Sequence, residues 1–295
     1  MKYGQLGKTG IEVSRLCVGC LSFGQPFSDS HMWTLNPEET ETIVRKALDL
    51  GFTFFDTANT YSHGTSEEYL GRAIKNSVSR DKVILATKVY FNEGHLSKKA
   101  IQREIDGSLK RLNTDYVDLY IIHRFDRTTP IEETMEALDG LVKCGKVRAL
   151  GASAMYGYQF YSMQVAAERN GWTKFCSMQN HYNLLYREDE REIIPLCKQE
   201  GVALTPFSPL AAGRLARVEW KSDSPRSQMD RTASQKYDGT QETDYEIVRR
   251  VHETAEKHGA TMTQVAIAWH MAKGMTAPII GATKAKYLED AAGAL

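Results

Sequence analysis

The chain of 295 residues has no surplus of either charge. Its 37 Lys and Arg balance 37 Asp and Glu, for a formal net charge of zero. That balance argues against nucleic acid and against an anionic membrane surface as partners. No run of about 18 apolar residues occurs, so no membrane-spanning helix is expected. The opening Met1-Lys2-Tyr3-Gly4-Gln5 lacks the apolar stretch of a secretory signal. Cysteine is scarce and odd in number: Cys17, Cys20, Cys144, Cys176 and Cys197. Such spread argues against a disulfide scaffold and for a reducing cytoplasm. Cys17 and Cys20 have CxxC spacing, but they lie in an apolar, strand-like run with no second pair to complete a metal site, so they read as buried thiols.

Several catalytic signatures are missing as well. There is no GxGxxG after the first strand-like run, no His-x-His pair, and no GxSxG elbow. These absences weaken a Rossmann fold, a metal-dependent barrel hydrolase and a Ser-His-Asp hydrolase in turn. The remaining histidines, His31, His63, His95, His181, His252, His258 and His270, show no ligand spacing. Composition itself is ordinary. Hydrophobic residues make up 42% and charged residues 25%, which excludes wholesale disorder.

What is present is a rhythm. A short hairpin is expected over residues 4–13, turning at Lys8-Thr9-Gly10. Eight apolar strand candidates follow, at 16–19, 52–55, 83–87, 117–122, 147–151, 175–178, 202–206 and 278–280. Amphipathic helices fill the gaps. Asn36 and Pro37 mark the start of one. In 98–112, Ile101, Ile105, Leu109 and Leu112 share one helical face. Further helical patterns lie at 66–76, 131–144, 156–169, 189–199, 244–258 and 262–273. Eight βα units predict a closed (β/α)₈ TIM barrel over residues 1–295, with an open doubly wound sheet as the runner-up. One connection, between strands seven and eight, is abnormally long. Its stretch 214–243 is polar and carries Arg214, Arg217, Lys221, Arg226, Arg231 and Lys236, so a long functional loop is expected there.

In such a barrel the residues just beyond each strand share one rim. Asp56, Lys88 and His123 end three successive strands, and Tyr61 follows closely. Each alone is weak evidence; together they fit a proton-donating set. A free phenol has a pKa near 10. A neighbouring ammonium favours the phenolate, so Lys88 is expected to lower the pKa of Tyr61. Asp56 would hold Lys88, and His123 would orient a carbonyl oxygen. With a hydride donor nearby, this is a carbonyl-reduction site.

At this point the motifs are familiar. Gly51 to Ala58 with Tyr61, "ATK" at 86–88, "LKRLNTDYVDLYIIH" at 109–123, "SMQNHYNLLYR" at 177–187, "FSPLAAGRL" at 207–215 and "PIIGATK" at 278–284 resemble segments of the aldo-keto reductase superfamily across nearly the whole chain. Within it, the chain looks similar to bacterial reductases that also resemble potassium-channel β subunits. The resemblance implies a barrel plugged below by the N-terminal hairpin and NADPH lying across the strand-end rim. It makes Asp56, Tyr61, Lys88 and His123 the catalytic tetrad. Ser153 and Gln179 would hold the nicotinamide carboxamide, and Phe207 would stack on its ring. Ser208, Pro209, Leu210, Gly213 and Arg214 would lie under the pyrophosphate. Gly281, Thr283 and Lys284 would grip the 2′-phosphate, with Cys20 and Leu21 as further cofactor contacts.

The chain departs from the pattern at Ala154, where many members carry Asn or Arg, and at Tyr287 and Ala291 near the adenine. It also ends at Leu295, within the expected eighth helix, where members usually continue into a tail that walls the substrate pocket. The implied partner is a small carbonyl compound, contacted by Phe23, Phe27, Trp33, Tyr90, Phe91, Arg124, Phe125 and Tyr156. The aromatics favour an apolar or aromatic aldehyde. The rival reading is an NADPH-holding redox sensor that docks to a partner protein.

Overall fold

The computed structural model describes residues 1–26, 32–220 and 225–295. Phe27, His31 and Lys221 lie outside the described residues. The hairpin forms as antiparallel β1 (Tyr3–Gln5) and β2 (Glu12–Ser14). Eight parallel strands follow: β3 (Cys17–Gly19), β4 (Phe54–Asp56), β5 (Ile84–Val89), β6 (Val117–Ile122), β7 (Val147–Ser153), β8 (Phe175–Gln179), β9 (Ala203–Leu204) and β10 (Ile279–Gly281). They run β10-β3-β4-β5-β6-β7-β8-β9. The two ends of that order meet through single bonds: Thr276 N donates to Leu204 O at 2.8 Å, and Ile279 N donates to Pro206 O at 2.9 Å. The sheet is thus a closed barrel, not the open doubly wound alternative.

The helices are α1 (Pro37–Asp49), α2 (Thr65–Ser77), α3 (Lys98–Leu112), α4 (Ile131–Lys143), α5 (Gly157–Asn170), α6 (Ile193–Glu200), α7 (Pro225–Met229), α8 (Arg231–Tyr237), α9 (Gln241–His258), α10 (Met262–Ala272) and α11 (Ala285–Ala292). Local signals explain their starts. Asn36 caps α1 by accepting from Glu39 N at 2.9 Å, and the Glu39 carboxylate accepts from Asn36 N at 2.9 Å. This reciprocal box satisfies two otherwise orphaned donors.

The core has two parts because both faces of a parallel sheet are covered. Inside the barrel, Cys17, Phe54, Ala86, Leu119, Ile121, Ala149, Ala203 and Ile279 pack together, with Leu6, Ile11 and Val13 of the hairpin among them. The hairpin therefore plugs the barrel. Outside, the other strand faces meet the helices, as where Phe52, Phe55 and Tyr120 join Ile43, Ile101 and Leu138.

Two expectations need correction. The seventh strand is only Ala203–Leu204, shorter than 202–206, and Pro206 within the expected span has no N–H to give a ladder. The stretch 214–243 is not a plain loop. Its described residues carry α7, α8 and the start of α9, and Trp220, Ala233 and Tyr237 are buried. Asp230 caps α8 by accepting from Ala233 N at 3.0 Å. These helices are one to two turns long, too short for their periodicity to register in the sequence.

Gly71 marks where α2 crosses the end of α3. A Cβ there would stand 2.4 Å from the Leu112 carbonyl oxygen. Alanine is a better helix former by about 1 kcal/mol, but forcing two backbones apart costs about 1–3 kcal/mol. Gly71→Ala is therefore expected to lower the midpoint of urea unfolding, and a raised midpoint would show that the helices part freely.

Candidate active site

The barrel carries the expected residues to one rim. Asp56 is the last residue of β4, and Lys88 lies near the end of β5. His123 follows β6 directly, its N–H bonded to Val89 O at 2.9 Å. Tyr61 sits in a tight turn after β4, where Ser62 and His63 take the left-handed conformation at φ 48° and 53°. Ser62 Oγ donates to Phe23 O at 3.2 Å, which fastens that turn to the loop after β3.

Lys88 is fully buried, and all its hydrogen-bonding capacity is used. Nζ donates to Asp56 Oδ1 at 2.5 Å, to Thr57 O at 2.7 Å and to Tyr61 Oη at 3.2 Å. The second Asp56 oxygen accepts from Gln179 Nε2 at 2.8 Å. The ring of His123 meets Tyr61 edge-on at 5.9 Å and Phe91 edge-on at 5.0 Å. Its Nδ1 is buried without a partner among the described residues.

Electrostatics follow from this packing. Burial opposes the Lys88 charge, yet Asp56 and then Tyr61 outweigh it and hold the ammonium above its ordinary range. Burial also pushes the Tyr61 phenol up, with Lys88 pulling against it. The net lowering expected for Tyr61 is therefore absent: the loss of water around the phenol exceeds the pull of the ammonium. His123 is held well below the usual imidazole range by burial, then by Lys88 and Arg124. The site thus combines a fixed cation, a protonated phenol and a neutral imidazole. Such a set can hand a proton to an oxygen and leave the resulting phenolate beside an ammonium.

The other expected residues stand at the ends of further strands or in the loops beyond them. Ser153 ends β7 and donates to Gln179 O at 2.6 Å. Ala154 takes a left-handed φ of 48°, and its N–H donates to Asn180 Oδ1 at 2.7 Å. Phe207 stacks on His181 at 5.2 Å, and His181 on Tyr186 at 4.4 Å. No periodicity or motif marks this three-ring stack in the sequence. Beyond Phe207, Ser208, Ala211, Ala212 and Gly213 all have positive φ. Pro209 and Leu210 lie within this bend. Within the bend, Ala211 N donates to Ser208 O at 3.0 Å and Gly213 N to Leu210 O at 2.8 Å. Arg214 pairs with Asp238 and lies over the Tyr237 ring at 5.1 Å. Nε of Arg214 and Nε of Arg217 are buried without partners among the described residues.

Gly281 ends β10, Thr283 is half-buried, and Lys284 is exposed at the N-cap of α11. Cys20 is buried, and its carbonyl accepts from Ser66 Oγ at 2.7 Å, while Leu21 faces outward. Tyr287 is exposed near the Lys286 ammonium. The rim is bridged further by Arg226, whose guanidinium lies 4.5 Å over the Trp33 ring.

The model of the aldo/keto reductase family matches residues 15–295. The chain belongs to the aldo/keto reductase family. Similar proteins include an aldo-keto reductase of Fusarium vanettenii, 43% identical over 99% of this chain and 86% of that protein. Versiconal hemiacetal acetate reductase of Aspergillus parasiticus is 41% identical, covering 99% of this chain and 91% of its own length. A putative aryl-alcohol dehydrogenase of Schizosaccharomyces pombe is 40% identical, with the same coverages of 99% and 91%. These relatives are fungal, so they give no support to the bacterial, channel-subunit subtype expected from the sequence. Family and relatives together make the chain an oxidoreductase of the carbonyl-reducing kind. Among the described residues, no helix is long and apolar enough to cross a membrane.

A buried histidine lies next to the loop after β9. His270 of α10 is completely buried, and burial pushes it down to about 4, with the backbone of Pro209 opposing. Between its unfolded value near 6.5 and about 4, the unfolded chain binds a proton that the folded chain does not. Stability therefore falls as pH drops through this window, by about 1.4 kcal/mol per pH unit for one such group. Urea unfolding at pH 7 and pH 5 should show a smaller acid loss for His270→Gln than for the unsubstituted chain. Equal losses would mean that His270 is protonated in the folded state.

Proposed function

We propose that this chain is an NADPH-dependent oxidoreductase that reduces aldehydes or ketones to alcohols, with Tyr61 as the proton donor. The observation that carries the reading is Lys88 Nζ, buried and shared between Asp56 Oδ1 at 2.5 Å and Tyr61 Oη at 3.2 Å. Bound NADPH would supply the hydride for the carbonyl carbon.

The protein's own groups do the rest. Burial keeps Tyr61 protonated near neutral pH, so it arrives as an acid. As the carbonyl oxygen gains negative charge, the Tyr61 proton passes to it, and Lys88 stabilises the phenolate left behind. Asp56 and the Thr57 carbonyl keep Lys88 in place. His123 is neutral and orients the substrate oxygen by hydrogen bonding.

The rim suits the cofactor. Ser153 and Gln179 end neighbouring strands where a carboxamide needs partners, and Phe207 offers a flat face. The unpartnered Nε atoms of Arg214 and Arg217, beside the bend from Ser208 to Gly213, suit a pyrophosphate. Thr283 and Lys284 would take the 2′-phosphate, Gly281 leaving room beside them, with Cys20 and Leu21 as further contacts. We read residues 1–295 as one catalytic barrel acting on small carbonyl compounds. All five cysteines are free, which fits a reducing cytoplasm.

Steady-state oxidation of NADPH by a panel of aldehydes tests the activity. General acid catalysis contributes about 10²–10⁴-fold. Tyr61→Phe is therefore expected to lower kcat by that order while NADPH affinity stays nearly constant. Near-normal turnover by this variant would remove Tyr61 from the mechanism. Lys284→Met tests the cofactor choice. Losing a charge-assisted contact costs about 1.5–3 kcal/mol. NADPH binding should weaken and NADH binding should hold; equal losses would reject the assignment.

A further inference from the structure

The buried ion pair has a counterpart on the outer side of the sheet. Asp56 pairs in register with Ala86, so Thr57 and Thr87 stand one residue beyond that pairing. Thr57 N donates to Ala86 O at 2.9 Å. Thr57 follows Asp56, and its carbonyl takes a Lys88 proton. Thr87 precedes Lys88 on β5. Successive strand residues face opposite ways, so Lys88 points into the mouth and Thr87 points out toward α2. The first turn of α2 meets both threonines with two successive residues, Ser66 and Glu67. All four side chains are completely buried.

Their bonds are directional. Ser66 Oγ donates to Cys20 O at 2.7 Å, which uses its only hydroxyl proton, and it lies 2.9 Å from Thr57 Oγ1. Thr57 is therefore the donor to Ser66. Thr87 Oγ1 donates to Glu67 Oε1 at 2.6 Å. Arg111, in the last turn of α3, donates through Nε to Glu67 Oε2 at 2.6 Å. The Arg111 stem passes Gly64, where φ is 91° and a Cβ would stand 2.8 Å from Arg111 Cδ. A carboxylate is costly to bury, and an apolar side chain could fill the same space. What the charge adds is two short, charge-assisted bonds that hold the end of β5 and the end of α3 against α2.

We propose that Ser66 and Glu67 are positioning residues for the proton donor: by gripping Thr57 and Thr87 from outside the barrel, they set where Lys88 Nζ stands relative to Tyr61 Oη. This rests on the reductase reading above and adds residues that act through Lys88. Nζ reaches Oη at 3.2 Å, the longest of its three bonds, so a shift of the β5 end is felt there first. Misplacing a reacting group by about 1 Å can cost about 10²-fold in rate.

The test uses 4-nitrobenzaldehyde and enzyme loaded with NADPH, with rates expressed per bound cofactor so that unfolded chain is not counted. Thr87→Val keeps the branched shape and removes the hydroxyl that binds Glu67. It should lower kcat about 10- to 100-fold, with KM and NADPH affinity nearly constant. Thr87→Ser keeps the hydroxyl and should keep kcat. In the Tyr61→Phe background Thr87→Val should cost far less, because residues acting through one group are not additive. Ser66→Ala takes away the acceptor of Thr57 Oγ1 and carries the same expectations where Thr87→Val does not fold. Asp118→Asn is the control. Asp118, the second residue of β6 and away from the rim, is a completely buried carboxylate held by Arg80 at 2.7 Å and Arg148 at 2.6 Å. Its substitution should lower the urea midpoint and leave kcat per bound cofactor unchanged. If Thr87→Val behaves like Asp118→Asn, the grip serves stability alone and the proposal fails. It fails also if the loss of kcat is as large in the Tyr61→Phe background. If the unsubstituted chain oxidises NADPH with neither this nor any other aldehyde, the reductase reading fails, and the positioning role with it.

Discussion

Everything at the strand-end rim depends on one buried ion pair. Placing Lys88 and Asp56 in a barrel mouth strips both of water, which costs several kcal/mol per ion before any attraction is counted. The pair persists because its remaining capacity is satisfied. Thr57 O takes a second Lys88 proton, Tyr61 Oη a third, and Gln179 covers the other Asp56 oxygen. These partners come from β4, β5, β8 and the turn after β4. Satisfying the pair therefore fixes how those strand ends stand relative to one another, and it aims Tyr61 into the site.

Charges around the strand-end rim divide by position. At the far end, left-handed backbone and partly buried guanidinium groups gather where α8 packs over Arg214. Beside Tyr61, the buried Lys88 cation is neutralised by Asp56. Neutral histidines separate these regions. His181, held down to about 3 by burial and by Lys236, adds an uncharged ring to the stack with Phe207 and Tyr186. Its Nε2 lies 2.6 Å from Tyr237 Oη, so the same ring ties α8 to the barrel.

Much of this was legible in the residues. Strands buried on both faces read as apolar runs, and each ended at a chemically distinctive residue, so Asp56, Lys88 and His123 pointed to one rim before any geometry. α3 was legible to the residue because Ile101, Ile105, Leu109 and Leu112 mark its face and Ser97 caps it. α7 and α8 were not, since neither spans enough turns to show a period. The phenol's direction of shift was also hidden. Sequence places an ammonium near Tyr61 but says nothing of how completely water is excluded. Nor does the sequence show that Asp230, the cap of α8, also takes Arg226 of α7 at 3.1 Å.

The barrel closes by pairing Ile279 with Cys17 and Gly281 with Gly19, strands almost the whole chain apart. Contacts of such high sequence separation form slowly, because loop-closure entropy must be met before they give anything back. During synthesis, β3 through β9 can assemble while β3 still lacks its neighbour, leaving an open edge beside an apolar interior. The strand that joins the two edges, β10, lies more than 200 residues after β3. Closure of the barrel is therefore a late event, and a nascent chain interrupted before residue 279 has not achieved it.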